Sequence, residues 1–208
     1  MQVPKEEIKN DIITAAEYEF LKHGYRNASL RTIAKKANTT LGNLYNYFPN
    51  KEAILDQIVG DTPEVLSKFA NSHGDFDFTK IDIKQITVSN LGSLMDQILP
   101  QLIDLDLILS NVVVILLEGC ENTKYEGFRT SIHDLFKEHM SGHLRNDPDE
   151  IFTEIVVQTM ISGIIYVAKL SSSKEVKKRS LLKYFNMLIY GLFFGTDFSF
   201  TLTNSNEA

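Results

Sequence analysis

The apolar residues of this chain recur every three or four positions along most of its length, which is the spacing of one face of an α-helix. No segment shows the strict alternation that is typical of a half-buried β-strand. The first periodic segment ends at Gly24, where a glycine can adopt the left-handed backbone of a helix C-terminus. Shorter segments follow at Leu30–Ala37 and Leu41–Phe48, and another begins at Lys51. The pattern predicts an all-α protein that opens with one long helix and two short ones.

The two short helices are joined by Asn38–Thr40, whose side chains readily hydrogen-bond to nearby backbone and favour a turn. Ser29 and Thr40 stand where N-caps are expected, and Pro49 separates the third helix from the fourth. Two short helices joined by a tight turn, after a longer supporting helix, form a helix-turn-helix. The sequence therefore predicts a helix-turn-helix domain at residues 1–50.

Longer helical segments fill residues 51–200, which are expected to form a second helical domain. Periodicity, glycines and prolines set their bounds. The segments are Ile54–Phe69, Ile83–Leu99, Leu102–Glu118, Tyr125–Leu144, Pro148–Leu170 and Lys174–Phe194, with a linker at Asn71–Thr79.

The last two segments carry apolar residues over wider faces than a single subunit can bury, and small residues lie among them. This surplus favours a two-fold four-helix bundle with a second copy of the chain. The alternative is a monomeric core with incidental glycines. The residues expected at the contact between copies are Ile155, Thr159, Ser162, Gly163, Leu181, Leu188, Gly191, Leu192 and Gly195.

Charge is distributed unevenly along the chain. The whole sequence holds 21 Lys and Arg against 27 Asp and Glu, a net charge of −6. Yet the stretch from Lys22 to Lys51 contains six basic side chains and no acidic one. A local positive region in an acidic chain indicates a surface that meets a phosphate backbone. The plainer alternative is a solvated charged face.

The third predicted helix carries more polar and aromatic side chains than packing requires. Leu44 and Phe48 are four residues apart and share its buried face. The other faces hold Asn43, Tyr45, Asn46 and Tyr47. Asparagine can hydrogen-bond to adenine in the major groove, and tyrosine hydroxyls can bind phosphate oxygens. The alternative is that the tyrosines are partly buried packing residues.

Two runs of sequence resemble the DNA-binding domain of the TetR family of transcriptional regulators. They are Gly24–Ala34 and Leu41–Leu55, and the second contains the specific pattern Leu-Tyr-x-Tyr-Phe-x-x-Lys-Glu. The resemblance covers about the first quarter of the chain. It implies an N-terminal three-helix helix-turn-helix domain plus a C-terminal helical ligand-binding and dimerisation domain. It also implies a ligand-responsive repressor that binds a near-palindromic DNA operator as a homodimer.

The resemblance assigns DNA contacts to positions on the second and third helices and at the start of the fourth. Among them, Lys51 matches a phosphate-binding lysine, and Gly42 would let the backbone approach the DNA. Leu41 departs from the family pattern, which often has a polar or basic residue there, and it could contact a thymine methyl group instead. The positions are Ser29, Arg31, Thr32, Thr40, Leu41, Gly42, Asn43, Tyr45, Asn46, Tyr47 and Lys51.

The resemblance also implies a ligand pocket among the middle helices, for a small apolar or amphipathic effector of unknown identity. Apolar residues at helical spacing are more often ordinary core, and that alternative stays open for each of them. The expected lining is Leu94, Met95, Ile98, Leu102, Leu109, Val113, Leu116, Leu117, Phe128, Phe136, Met140, Met160 and Tyr166.

Other classes of function find less support in the sequence. No nucleophile triad, metal-carboxylate set or phosphate-binding loop is present, so we expect no enzyme and no cofactor. His139 and His143 have the spacing of a metal pair, but without further ligands surface histidines are the plainer interpretation. A co-regulator that acts through protein partners, without a small ligand, is the remaining alternative on the same fold.

The cellular setting is predicted from three features. Cys120 is the only cysteine, so neither an intrachain disulfide nor a cysteine-based zinc site is expected. Met1–Lys9 is polar, and the longest apolar stretch, Leu107–Leu117, is too short to cross a bilayer. These features favour a cytoplasmic protein without a membrane segment.

Overall fold

The structure, a computed structural model, describes residues 5–66, 104–143 and 150–194. Every regular element in these ranges is a helix, which confirms the all-α fold class. The elements are α1 (Lys5–Asn27), α2 (Leu30–Lys36), α3 (Leu41–Tyr45), α4 (Lys51–Val59), α5 (Leu105–Ile108), α6 (Asn111–Glu118), α7 (Phe128–His143), α8 (Glu150–Lys169) and α9 (Lys174–Phe194). The predicted segment Ile83–Leu99 and the linker Asn71–Thr79 lie outside the described residues.

Several predicted boundaries are wrong, each for a local reason. The fourth helix ends at Val59, inside the predicted segment Ile54–Phe69, because Gly60 has a positive φ of 53°; helical backbone resumes at Thr62. The predicted helix Leu102–Glu118 is divided into α5 and α6, since the Ser110 hydroxyl accepts the backbone N–H of Val113 (3.3 Å) and starts a new helix. The third helix stops at Tyr45, three residues early.

The first helix contains a break at the predicted position. Gly24 has φ 75° and ψ 156°, a backbone that side chains other than glycine rarely adopt. A short helical turn then resumes and runs to Asn27. Gly24 therefore bends α1 without ending it, and the bend turns the chain toward α2.

The first core lies between α1, α2, α3 and α4. Each of these helices contributes at least one fully buried apolar side chain, namely Phe20, Ile33, Leu44 and Ile54. Leu55 and Val59 of α4 also belong to this core. The domain predicted at residues 1–50 therefore shares its core with the helix that follows it.

The second core lies among α6, α7, α8 and α9, where Val157, Ile161 and Leu181 are fully buried. The helix α6 joins the two cores. Its Ile115 and Leu116 pack in the first core, while Val113, Val114 and Leu117 pack in the second. Burial on every side explains why this helix is an unbroken run of apolar residues.

The helices α8 and α9 approach closely at Gly163. A Cβ atom at this position would overlap the ring of Tyr184, whose hydroxyl donates to the carbonyl of Thr159 (2.6 Å). By length and composition alone α8 could cross a membrane, with a mean hydropathy of 1.7. Its buried residues, however, pack against the neighbouring helices, and a core helix has the same composition.

Candidate nucleic-acid interface

The turn between α2 and α3 is built from polar side chains, as the sequence predicts. Thr40 caps α3, since its hydroxyl oxygen accepts the backbone N–H of Asn43 at 3.1 Å. Asn38 has a positive φ of 49°, a conformation that asparagine tolerates better than most residues. Leu44 and Phe48 are buried in the first core. The short helix α3 is thereby fixed by the cap at its N-terminus and by the burial of Leu44 and Phe48 in the first core.

The outer face of α3 is exposed and carries a chain of amide hydrogen bonds. Asn43 Nδ2 donates to the Thr39 hydroxyl at 2.8 Å, and Asn46 Nδ2 donates to Asn43 Oδ1 at 3.3 Å. Tyr45 is 49% exposed beside them. Asn43 is thus held by its neighbours, whereas Asn46 keeps its carbonyl oxygen and a second N–H available for an external group.

The remaining predicted positions on α3 differ in accessibility. Tyr47 is half-buried and packs against the first core, as the packing alternative expected for one of the tyrosines. Leu41 is also half-buried, while Gly42 is exposed. A Cβ at Gly42 would meet only the Thr40 hydroxyl, at 4.0 Å. The protein's own packing therefore does not require a glycine there.

The start of α2 presents the next group of predicted residues. Ser29 and Arg31 are exposed and Thr32 is half-buried. Ser29 occupies the predicted N-cap position, but its side chain makes no capping hydrogen bond. Its hydroxyl is left at the surface next to Arg31.

The basic side chains of this region divide into two groups. Arg26 pairs with Glu121 (3.0 Å), and Lys36 pairs with the buried carboxylate of Glu19 (2.9 Å). Arg31 and Lys35 are exposed, and the described contacts include no ion pair for either. Part of the positive charge counted in the sequence is therefore neutralised within the fold.

Lys51, which the resemblance assigns to a phosphate, makes its described contacts within the protein. Its ammonium group donates to three backbone carbonyls, those of Tyr25 (2.6 Å), Arg26 (3.1 Å) and Ala28 (3.2 Å). It also lies 4.5 Å from the centre of the Tyr25 ring. Burial lowers the pKa of Lys51 from its usual value. In this structure the predicted phosphate ligand binds the protein's own backbone.

Two buried polar groups near this site escaped the sequence analysis. Burial, and secondarily the nearby Glu52 carboxylate, raises the pKa of Tyr25 to about 12. Glu19 lies within the core-facing side of α1, where it is only 3% exposed. The sequence contains one indication of this burial: Glu19 lies at a helical spacing that places it on the apolar face of α1.

The loop at residues 119–127 connects the two cores through polar contacts. Glu121 binds Arg26, and Lys124 binds the Asp56 carboxylate (3.1 Å) and, through its backbone N–H, Glu52 (3.1 Å). Cys120 belongs to this loop; its side chain is fully buried in the first core, and burial raises the pKa of its thiol to about 11. No local pattern in the sequence predicts this contact between the two cores.

The residues predicted to line a ligand pocket fall into three groups. Leu109, Val113, Leu116, Leu117 and Met160 are buried in the two cores, and Phe128 and Phe136 pack against them. Tyr166 is 69% exposed, so the prediction that it lines an internal pocket is wrong. Leu94, Met95, Ile98 and Leu102, and the side chain of Met140, lie outside the described residues.

The residues predicted at a contact between copies differ in their exposure. Ile155, Thr159 and Ser162 are exposed on one face of α8, and Leu188 of α9 is half-buried. Leu181 is fully buried in the second core, so its assignment to a contact between copies is wrong. Gly163 packs within the subunit against Tyr184. The side chain of Leu192, and Gly191 and Gly195, lie outside the description.

The described residues contain no group of three or more potential metal-binding side chains. His133 instead bonds to Glu154 (2.8 Å) across α7 and α8. The side chains of His139 and His143, the predicted metal pair, lie outside the description. A surface depression of about 380 Å³ lies between α1 and the end of α2, lined by Tyr18, Lys36 and neighbouring polar residues, far in sequence from the predicted pocket.

The fold and the exposed face of α3 define a helix-turn-helix protein with a second, helical domain. The family model described as "Bacterial regulatory proteins, tetR family" matches residues 12–58. The N-terminal domain of this chain is therefore similar to that of the TetR family, in agreement with the resemblance seen in the sequence.

Two transcriptional regulators are similar to part of this chain. An uncharacterized HTH-type transcriptional regulator of Haemophilus influenzae is 33% identical over 81 residues, 38% of this chain and 42% of that protein. The HTH-type transcriptional regulator UidR of Escherichia coli is 31% identical over 70 residues, 33% of this chain and 36% of that protein. The chain therefore matches less than half the length of these relatives.

One solved structure extends the likeness of fold along the chain. It is a TetR-like transcriptional regulator from Rhodococcus sp. RHA1, similar with a TM-score of 0.53 over 91% of this chain and 97% of that chain. The sequence identity is 15%, so this likeness concerns the fold alone.

Proposed function

We propose that this protein is a transcriptional regulator that binds double-stranded DNA through α3 and the start of α2. The observation that carries the proposal is the polar surface along α3 and its two ends, where the half-buried Thr39 and Asn43 and the exposed Asn46 form one hydrogen-bonded chain. A major groove admits an α-helix, and an asparagine can pair with both the N6 and N7 atoms of adenine. Asn46 retains the donor and acceptor that this pairing needs.

Phosphate contacts are expected beside this face. Arg31 and Lys35 are exposed on α2 and carry no described ion pair, and the Ser29 hydroxyl lies at the start of the same helix. The N-terminus of a helix and free guanidinium groups both attract phosphate oxygens. Of the basic residues in this region, Arg31 and Lys35 are thus better placed for DNA than Lys36 or Lys51.

We further propose that the protein acts as a homodimer through α8 and α9. Ile155 is 56% exposed and Tyr166 is 69% exposed on one face of α8, and Met187 is 63% exposed on α9. Thr159 and Ser162 lie between the two apolar residues on the α8 face. Large apolar side chains clustered at a surface favour association with another surface of the same kind. Two copies would place two α3 helices on a near-palindromic operator.

We propose that the second domain binds a small apolar or amphipathic effector. Binding of this effector would lower the affinity of the protein for its operator and so allow transcription of the repressed gene. The coupling between effector and DNA must amount to a difference in affinity, typically about 1–3 kcal/mol. The joint between the cores at α6 and the loop at residues 119–127 offers a physical route for it. Such a regulator would act in the cytoplasm.

Selection of binding sites from a randomised double-stranded DNA library tests the DNA-binding role. We expect the protein to enrich a two-fold symmetric sequence and to bind it at least about 1,000-fold more tightly than random DNA. Asn46→Ala should weaken that binding about 10-fold and relax the preference for adenine at one position in each half-site. Thr130→Ala, an exposed change on α7, serves as the control. Failure to enrich any sequence would contradict the proposal and favour the co-regulator alternative.

A further inference from the structure

The corner between α1 and α2 is short and irregular, yet it fixes where the start of α2 lies. Gly24 breaks α1 with a positive φ of 75°, and Ala28 N–H donates back to the Gly24 carbonyl at 3.2 Å. The last carbonyls of a helix have no partners within the helix, and they carry the negative end of its dipole. A cation at this corner therefore supplies the missing hydrogen bonds.

Lys51 supplies that cation. Its three contacts reach the carbonyls on both sides of the end of α1, those of Tyr25, Arg26 and Ala28. An ammonium group has three N–H donors and no acceptor. With three carbonyls bound, the group has no donor left for a phosphate oxygen. The centre of the Tyr25 ring also lies 4.5 Å from the Lys51 ammonium group and covers it on one side.

The backbone of Lys51 is itself held in place. Lys51 is the first residue of α4, and the preceding Asn50 caps that helix by accepting the N–H of Ala53 at 2.8 Å. Ile54 and Leu55, one turn further on, are fully buried in the first core. Lys51 thus ties a rigid helix start to the corner, and the third carbonyl that it binds immediately precedes Ser29.

We propose that Lys51 is a positioning residue for DNA binding, which sets the start of α2 by holding the corner at residues 24–28, and that it is not a phosphate ligand. The part of this proposal that concerns DNA rests on the proposed function. The part that concerns the corner does not, because it can be measured without DNA.

Two substitutions separate the possibilities. Lys51→Met keeps the length of the side chain and removes the charge. Lys51→Arg keeps the charge and the reach toward a phosphate, but its planar guanidinium cannot occupy a site shaped for three convergent carbonyls. Lys35→Met removes an exposed lysine of α2 that has no described partner, and it is the control for loss of charge in the measurement made without DNA only.

The first measurement is made without DNA. We expect Lys51→Met and Lys51→Arg each to lower Tm by about 5 °C and to speed amide hydrogen exchange at residues 28–33, while Lys35→Met changes neither. Wild-type values in both Lys51 variants would overturn the role in the corner. This result would stand whether or not the protein proves to bind DNA.

The second measurement is the affinity for the selected DNA site, well below Tm, at several salt concentrations. We expect both Lys51 variants to bind at least about 10-fold more weakly than wild type, with the same dependence on salt as each other. A phosphate ligand would behave differently, because Lys51→Arg would bind like wild type and Lys51→Met would lose about 0.9 from the slope of log K against log salt. That pattern, or wild-type affinity in both variants, would overturn the proposal.

Discussion

The buried carboxylate of Glu19 shows how single residues decide the charge that this surface offers to a partner. Its side chain is almost fully covered, with Lys36 at 2.9 Å and His23 at 4.0 Å. Lys36 also lies 3.7 Å from the centre of the Tyr18 ring. Removing one member of a buried pair costs much more than the pair itself contributes, because it leaves a buried charge without a partner.

A pair of variants tests this dependence. Lys36→Met should lower the free energy of unfolding by about 2 kcal/mol, less than for a fully enclosed pair because the lysine is partly exposed. The double variant Glu19→Leu, Lys36→Met should recover most of this loss, as measured by urea denaturation. Equal or greater destabilisation in the double variant would show that the pair does not account for the effect.

The types of residue at the site could be predicted from the sequence, but their partners could not. Thr40, Leu44 and Phe48 occupy their expected roles because those roles depend on neighbours within a few positions. The partners of Lys36 and Lys51 depend on how α1 packs against α2 and α4, and no local pattern encodes that packing. A count of basic residues therefore overstated the free positive charge.

At the scale of elements, α6 and the loop at residues 119–127 form the joint between the domains. The joint combines the apolar packing of Ile115 and Leu116 with exposed ion pairs to α1 and α4. Exposed ion pairs contribute little individually, so the apolar part holds the domains together. The ion pairs of Glu121 and Lys124 instead fix where the loop lies, and this loop includes the buried Cys120.

The accessibility of Cys120 should report on this joint. At pH 8 a thiol with a pKa of about 11 is only about 0.1% thiolate, and the native fold also covers it. We expect Lys124→Met to raise the rate of labelling by a thiol reagent at least about threefold, because the loop opens more often. Lys183→Met should leave the rate unchanged. Equal rates in all three proteins would show that Lys124 does not hold the loop closed.

Periodicity predicted the type of these elements better than their ends. The last helix has the predicted bounds, Lys174–Phe194, since no competing cap interrupts it. Gly60 and Ser110 end or start helices inside segments whose apolar spacing continues across the break. The spacing of apolar residues alone cannot predict such a break, because glycine and serine also occur within helices.

For the whole molecule, the exposed apolar face of α8 determines the expected assembly. Ile155→Glu should convert a dimer into a monomer in sedimentation velocity experiments, because the contact would bury two like charges beside each other. DNA affinity should fall at least about 100-fold with it, since two linked half-sites bind far more tightly than one. Thr130→Glu, an exposed change on α7, is the control. A dimer that persists in Ile155→Glu would place the contact elsewhere.

That face has a consequence for how a cell would sense the amount of this protein. If only the paired form occupies an operator, occupancy at low copy number grows with the square of the number of chains. Doubling synthesis would then quadruple the occupied form until pairing is complete. The few apolar side chains on α8 would thus give the regulated gene a threshold response to dosage, without any effector.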